Sequence, residues 1–165
     1  PIADVPGLDL QPRGTTALLD AIGRLVTDAG SHLASLPEDQ RPGTVIVGIM
    51  TDGYENASRE WTHPAIKSLV QQQTKTYNWE FLYMGADQDA IEVGASLGVQ
   101  ANRSMTYSRD ASGPAMAATS AVVGRLRAAR TTGAPAADIG YSAEERQASA
   151  GEPSGRPPKK TRPNR

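Results

Sequence analysis

The chain contains no cysteine, which excludes disulfides, thiolate metal sites and a cysteine nucleophile. Its two histidines, His32 and His63, stand far apart with no metal-ligand spacing, so both read as surface residues rather than zinc ligands. Aromatic residues are scarce, at 5%. Three of them, Trp79, Phe81 and Tyr83, alternate onto one strand face and read as core, not as a platform for stacking bases. No stretch approaches the roughly 18 apolar residues of a membrane span, and no secretory signal opens the chain. A cytoplasmic location, with no membrane contact, is the expectation. The glycosylation sequons at Asn56 and Asn102 then read as chance. No nucleophile elbow, phosphate-binding loop or dinucleotide fingerprint is present, so nothing points to an enzyme.

Net charge is also small, −1 over 165 residues, and favours neither nucleic acid nor acidic substrates. The average hides an asymmetry. Arg156, Lys159, Lys160, Arg162 and Arg165 stand against Glu152 alone, a net +4, which leaves −5 on the remainder. A length of 165 residues suits one domain with a tail. From Ala134 onward Pro, Ser, Gly and charge dominate, so residues 134–165 read as a disordered basic tail with too few apolar side chains to repay its ordering. Nucleic-acid binding through this tail alone is not expected. The chain begins at Pro1 without an initiator methionine, which fits either methionine removal before proline or a piece of a longer protein.

What is present is a regular alternation. Residues 1–14 read as a connection. Leu18, Ile22, Leu25, Val26, Ala29 and Leu33 follow helical spacing, with Thr15 and Thr16 placed to cap the start. Thr44 to Met50 is apolar on both alternating faces and predicts a central parallel strand covered on both sides. A helix capped by Thr62 follows, with Ile66, Leu69, Val70 and Tyr77 inward, and then a strand over Trp79–Met84. Asp87 or Asp89 caps a short helix ending at Gly98, a weaker strand runs over Arg103–Tyr107, and a last helix runs from Pro114 to Gly133. In that last helix Met116, Thr119, Val122, Val123 and Leu126 are expected inward. The fold class is α/β: a Rossmann-like open parallel sheet flanked by helices over residues 1–133.

In such sheets ligands gather at the carboxyl ends of the strands. The strand ending V-I-V-G-I-M-T-D-G puts Asp52 at such an end, where its carboxylate either serves a site or caps a turn. Asp20, in the first turn of the first helix, is expected on the surface near the site without binding an ion.

Two stretches together, "GTTALLDAI" (residues 14–22) and "GIMTDG" (residues 48–53), resemble the second and third metal-site motifs of von Willebrand factor type A domains. The resemblance covers roughly residues 10–130. It places the motif threonine on Thr16 and the motif aspartate on Asp52. It implies a divalent cation, Mg²⁺ or Mn²⁺, and a protein partner whose acidic residue fills an open coordination position. The family's first motif, D-x-S-x-S, is absent, as are the strands that should precede Thr16. The resemblance thus implies the carboxyl-terminal part of such a domain, truncated or degenerate, with an incomplete site, weak or absent metal binding and an unpaired strand edge open to self-association. A hydrolase-like enzyme using Asp52 and a metal-free scaffold are the alternatives.

Overall fold

The computed structural model describes residues 14–151. Its elements alternate as the sequence predicts: α1 (Leu18–Ser35), β1 (Ile46–Thr51), α2 (His63–Tyr77), β2 (Glu80–Ala86), α3 (Ala90–Ser96), β3 (Ser104–Tyr107) and α4 (Ser112–Thr132). A further helix, α5 (Ala143–Ser149), follows. The three strands form one parallel sheet in the order β1-β2-β3. The protein is therefore an α/β fold with an open parallel sheet and flanking helices.

Each face of the sheet builds its own core. Val47, Ile49, Phe81 and Tyr83 meet Leu19, Ile22 and Val26 of α1 and Ile66 and Val70 of α2. Leu82, Met84, Met105 and Tyr107 meet Ala115, Ala118, Val122 and Leu126 of α4. Helix ends follow familiar local rules. Thr62 accepts from the Ala65 N–H, Asp89 accepts from Ile91 and Glu92, and Gly98 and Gly133 adopt positive φ where α3 and α4 stop.

Strand β1 departs from expectation. It is an edge strand among the described residues, and its burial alternates: Val47, Ile49 and Thr51 are buried, whereas Gly48 and Met50 are exposed. Helix α4 lies over β2 and β3 and leaves that part of β1 uncovered, so the apolar run is not covered on both faces. The Val45 carbonyl accepts from Glu80 N–H at 2.9 Å. In a parallel ladder a residue's N–H and C=O point the same way, so Ile46, Gly48 and Met50 turn theirs toward the open edge. Leu25, Tyr77 and Met116, expected inward, are also exposed.

The expected disorder from Ala134 is not what residues 134–151 show, while residues 152–165, with the basic cluster, lie outside the described residues, as do residues 1–13. Tyr141 is buried in the α4 core with its hydroxyl 3.0 Å from Thr119 Oγ1, and Ser142 and Glu145 form a capping box for α5. Three arginines hold the segment through backbone carbonyls and, for Arg125, through the Glu145 carboxylate as well. Arg103 donates to Ala136 and Ile139, Arg125 to Gly140 and Glu145, and Arg146 to Ala101, Asn102 and Ser104. Arg103 is itself buried and ion-paired with Glu80. Charge-assisted hydrogen bonds, stronger than neutral ones, supply the order that apolar periodicity does not.

Candidate metal centre

The carboxyl ends of the strands are shaped by the loop of residues 52–61, which is fastened onto the start of α1. Neither Thr15 nor Thr16 caps that helix; its N-cap is Ala17, without a side-chain bond. The loop supplies the acceptors instead. The Glu55 carboxylate accepts from Leu19 N–H at 2.9 Å and the Ser58 hydroxyl accepts from Asp20 N–H at 3.1 Å. Glu55 also accepts from the loop's own Ala57 and Ser58 N–H groups and from the Ser58 hydroxyl, at 2.7 to 2.8 Å. Burial works against ionisation of Glu55, but these hydrogen bonds outweigh it and bring its pKa down to about 2.

Asp20 returns the contact. Its two oxygens accept from the Arg59, Glu60 and Trp61 N–H groups at 2.9 to 3.0 Å. The Arg59 bond first, then those from Trp61 and Glu60, lower its pKa despite some desolvation. Asp20 is thus a structural clamp, not a bystander on the helix surface. Trp61 then lies flat against Gly23, where any Cβ would sit 2.3 Å from the indole ring.

Thr16 is fixed in the same way. Its N–H donates to Asn56 Oδ1 at 2.9 Å and its carbonyl accepts from Asn56 N–H at 3.1 Å. Gly53 closes against it, since a Cβ there would lie 3.0 Å from Thr16 Oγ1. The Thr51 hydroxyl ties the turn by donating to the Gly53 carbonyl at 2.8 Å. The Arg109 guanidinium donates to the Asp52 carbonyl at 2.6 Å and lies 3.6 Å from an Asp87 oxygen, linking the ends of all three strands.

These constraints bring Thr16 and Asp52 together on one open cleft of about 450 Å³, with Leu18, Met50 and Tyr107 also in its wall. The Thr16 and Asp52 side chains are spared structural work. Among the described residues the Asp52 carboxylate and the Thr16 hydroxyl make no hydrogen bond, whereas Asp20, Glu55 and Asp89 are each committed to backbone N–H groups. The capping role open to Asp52 from its sequence is therefore not the one it takes. The donor set, one hydroxyl and one carboxylate, suits a hard oxygen-seeking cation, but supplies two of the roughly six oxygens such an ion takes. Among the described residues no three His, Cys, Asp or Glu side chains converge on a point.

The other residues weighed from sequence lie elsewhere. His32 and His63 are both exposed on separate helices, and Asp89 caps α3. Sequence reasoning missed Glu55, Asn56, Arg109 and Tyr107. The polar cluster Y-E-N-A-S directly after Asp52 was the available signal for the first two. A larger cavity of about 570 Å³ lies at the opposite end of the sheet, around Val45 and Trp79. Its charged pair, Arg41 with Glu38, is engaged at the end of α1, where Arg41 donates to the Ala34 and Leu36 carbonyls. The cleft at Thr16 and Asp52 is the better placed for chemistry. No helix is long and apolar enough to cross a membrane among the described residues. Comparison with protein-family models, with curated proteins and with solved structures finds no match to this chain.

Proposed function

We propose that this chain is the carboxyl-terminal part of a von Willebrand factor type A-like domain, acting in the cytoplasm as a metal-assisted protein-binding module and not as an enzyme. The observation that carries the reading is the contrast in how carboxylates are used at one end of the sheet. Asp20 and Glu55 spend their oxygens on holding the loop of residues 52–61, while the side chains of Asp52 and Thr16 keep theirs free among the described residues, on a common cleft. Such an arrangement prepares oxygen ligands at little cost when an ion arrives. The ion would be Mg²⁺ or Mn²⁺, held by Thr16 and Asp52, and the partner a protein offering an acidic side chain to it.

With two protein oxygens, this chain alone binds Mg²⁺ with a dissociation constant of about millimolar or weaker. Titration calorimetry tests this: micromolar affinity for the chain alone would contradict an incomplete site. The edge of β1 that is open among the described residues, with Met50 exposed on it, is the second surface of the reading. Free strand edges pair with other chains, and self-association is the expected consequence.

A further inference from the structure

We propose that Tyr107 is a third oxygen group of the Thr16–Asp52 cleft, hydrogen-bonded through its phenol to a water or carboxylate in the coordination sphere of the bound cation. The inference rests on the metal-binding reading above and adds a residue that neither motif contains. The register of the sheet supplies the geometry. Thr51 pairs with Gly85 and Ala86 pairs with Tyr107, so Asp52, one step past Thr51, is level with both. Asp52, Ala86 and Tyr107 form one row across the strand ends. Two strand spacings separate the outer positions, about 10 Å. A tyrosine side chain spans most of that distance, and the small Ala86 between them leaves it room.

The environment of the phenol agrees. Tyr107 is 4% exposed and packed in the α4 core, yet it forms part of the cleft wall with Thr16 and Asp52. Its hydroxyl has no hydrogen-bond partner among the described residues. It is nonetheless not a sealed polar atom, because Gln88 Nε2 is the buried side-chain group left unpaired there. A buried ring with an uncommitted hydroxyl at a cleft surface is positioned to meet a ligand. A phenol keeps its proton at neutral pH and acts as a donor, the role suited to a metal-bound carboxylate oxygen.

Tb³⁺, a hard oxygen-seeking ion whose emission is sensitised by a nearby tyrosine, is the probe. The full chain is titrated with Tb³⁺, with binding followed both calorimetrically and by sensitised emission, and compared with Asp52→Asn, Tyr107→Phe and Tyr54→Phe. Tyr107→Phe keeps the packed ring, and should lose at least half of the tyrosine-sensitised emission and weaken binding about three- to tenfold, the worth of one hydrogen bond. Tyr54→Phe should leave the affinity unchanged. Binding that survives Asp52→Asn unchanged would overturn the metal reading, and the proposal with it. Loss of binding in Asp52→Asn, with full emission and affinity in Tyr107→Phe, would overturn the role of Tyr107 alone. Broadening of the Tyr107 ring resonances by Mn²⁺ in the unsubstituted chain provides a readout independent of how any variant folds. Its absence, with Asp52 broadened, would overturn the role of Tyr107.

Discussion

Glu55→Gln separates the loop clamp from the rest of the fold. The substitution preserves shape but replaces one carboxylate oxygen with an NH₂ group that faces N–H and O–H donors. Glu55 accepts from Leu19, Ala57 and Ser58 backbone N–H groups and from the Ser58 hydroxyl, and one of its two oxygens must be lost to them. A fall in pKa from 4.5 to about 2 corresponds to about 3 kcal/mol of preferential stabilisation of the charged form. Glu55 is only partly buried, and discounting for solvent screening leaves about 2 kcal/mol. For a chain of this size that is a drop in Tm of about 6 °C. The pH dependence has a definite sign. A depressed carboxylate pKa contributes stability that is fully present above about 4.5 and fades as pH falls toward about 2. Thermal unfolding of both proteins at pH 7 and near pH 2 should therefore show the gap at neutral pH and its near disappearance in acid. Amide exchange at pH 7 should also quicken at Leu19, Ala57 and Ser58. Equal stability at pH 7, or a gap that persists unchanged at pH 2, would refute the clamp.

Tyr141→Ala should destabilise the protein by about 3 kcal/mol in chemical denaturation, because a buried ring and its contact with Thr119 are both lost; a change under 1 kcal/mol would mean that residues 134–151 do not pack. Arg103→Met should cost about 3 to 5 kcal/mol, because it leaves Glu80 partly buried and unpaired and frees the Ala136 and Ile139 carbonyls; adding Glu80→Leu should recover only part of that loss, and full recovery would mean that Arg103 does not hold residues 134–151. Light scattering should detect dimers or larger species of the chain, with Met50→Lys shifting it toward monomer; a monodisperse monomer at high concentration would remove the exposed β1 edge as a docking surface.

The order of elements through α4 was legible because apolar spacing changes between strand and helix periods and Thr62, Asp89 and Gly133 punctuate it. The environment of each face was less so. The run at Val45 to Met50 looks like a strand covered on both sides, but composition reports hydrophobicity and not which neighbours are there to cover it. Tyr77, Leu25 and Met116 were misplaced for the same reason. The segment of residues 134–151 looks disordered in the sequence because its order depends on Arg103, Arg125 and Arg146 reaching carbonyls more than ten residues away along the chain. No local pattern announces such bonds. At the candidate site, Thr16 and Asp52 stand out in the sequence through their motifs, whereas the place of Tyr107 depends on strand register, which only the folded sheet defines.

Paramagnetic broadening by Mn²⁺ tests the central claim most directly, since it detects millimolar binding and reports position. Titrating Mn²⁺ into the isotopically labelled chain should broaden resonances at Thr16, Asp52 and Gly53 first, and Asp52→Asn should abolish that local effect while leaving the rest of the spectrum in place. Broadening centred elsewhere, or broadening at Thr16 that survives Asp52→Asn, would contradict a metal centre at this end of the sheet.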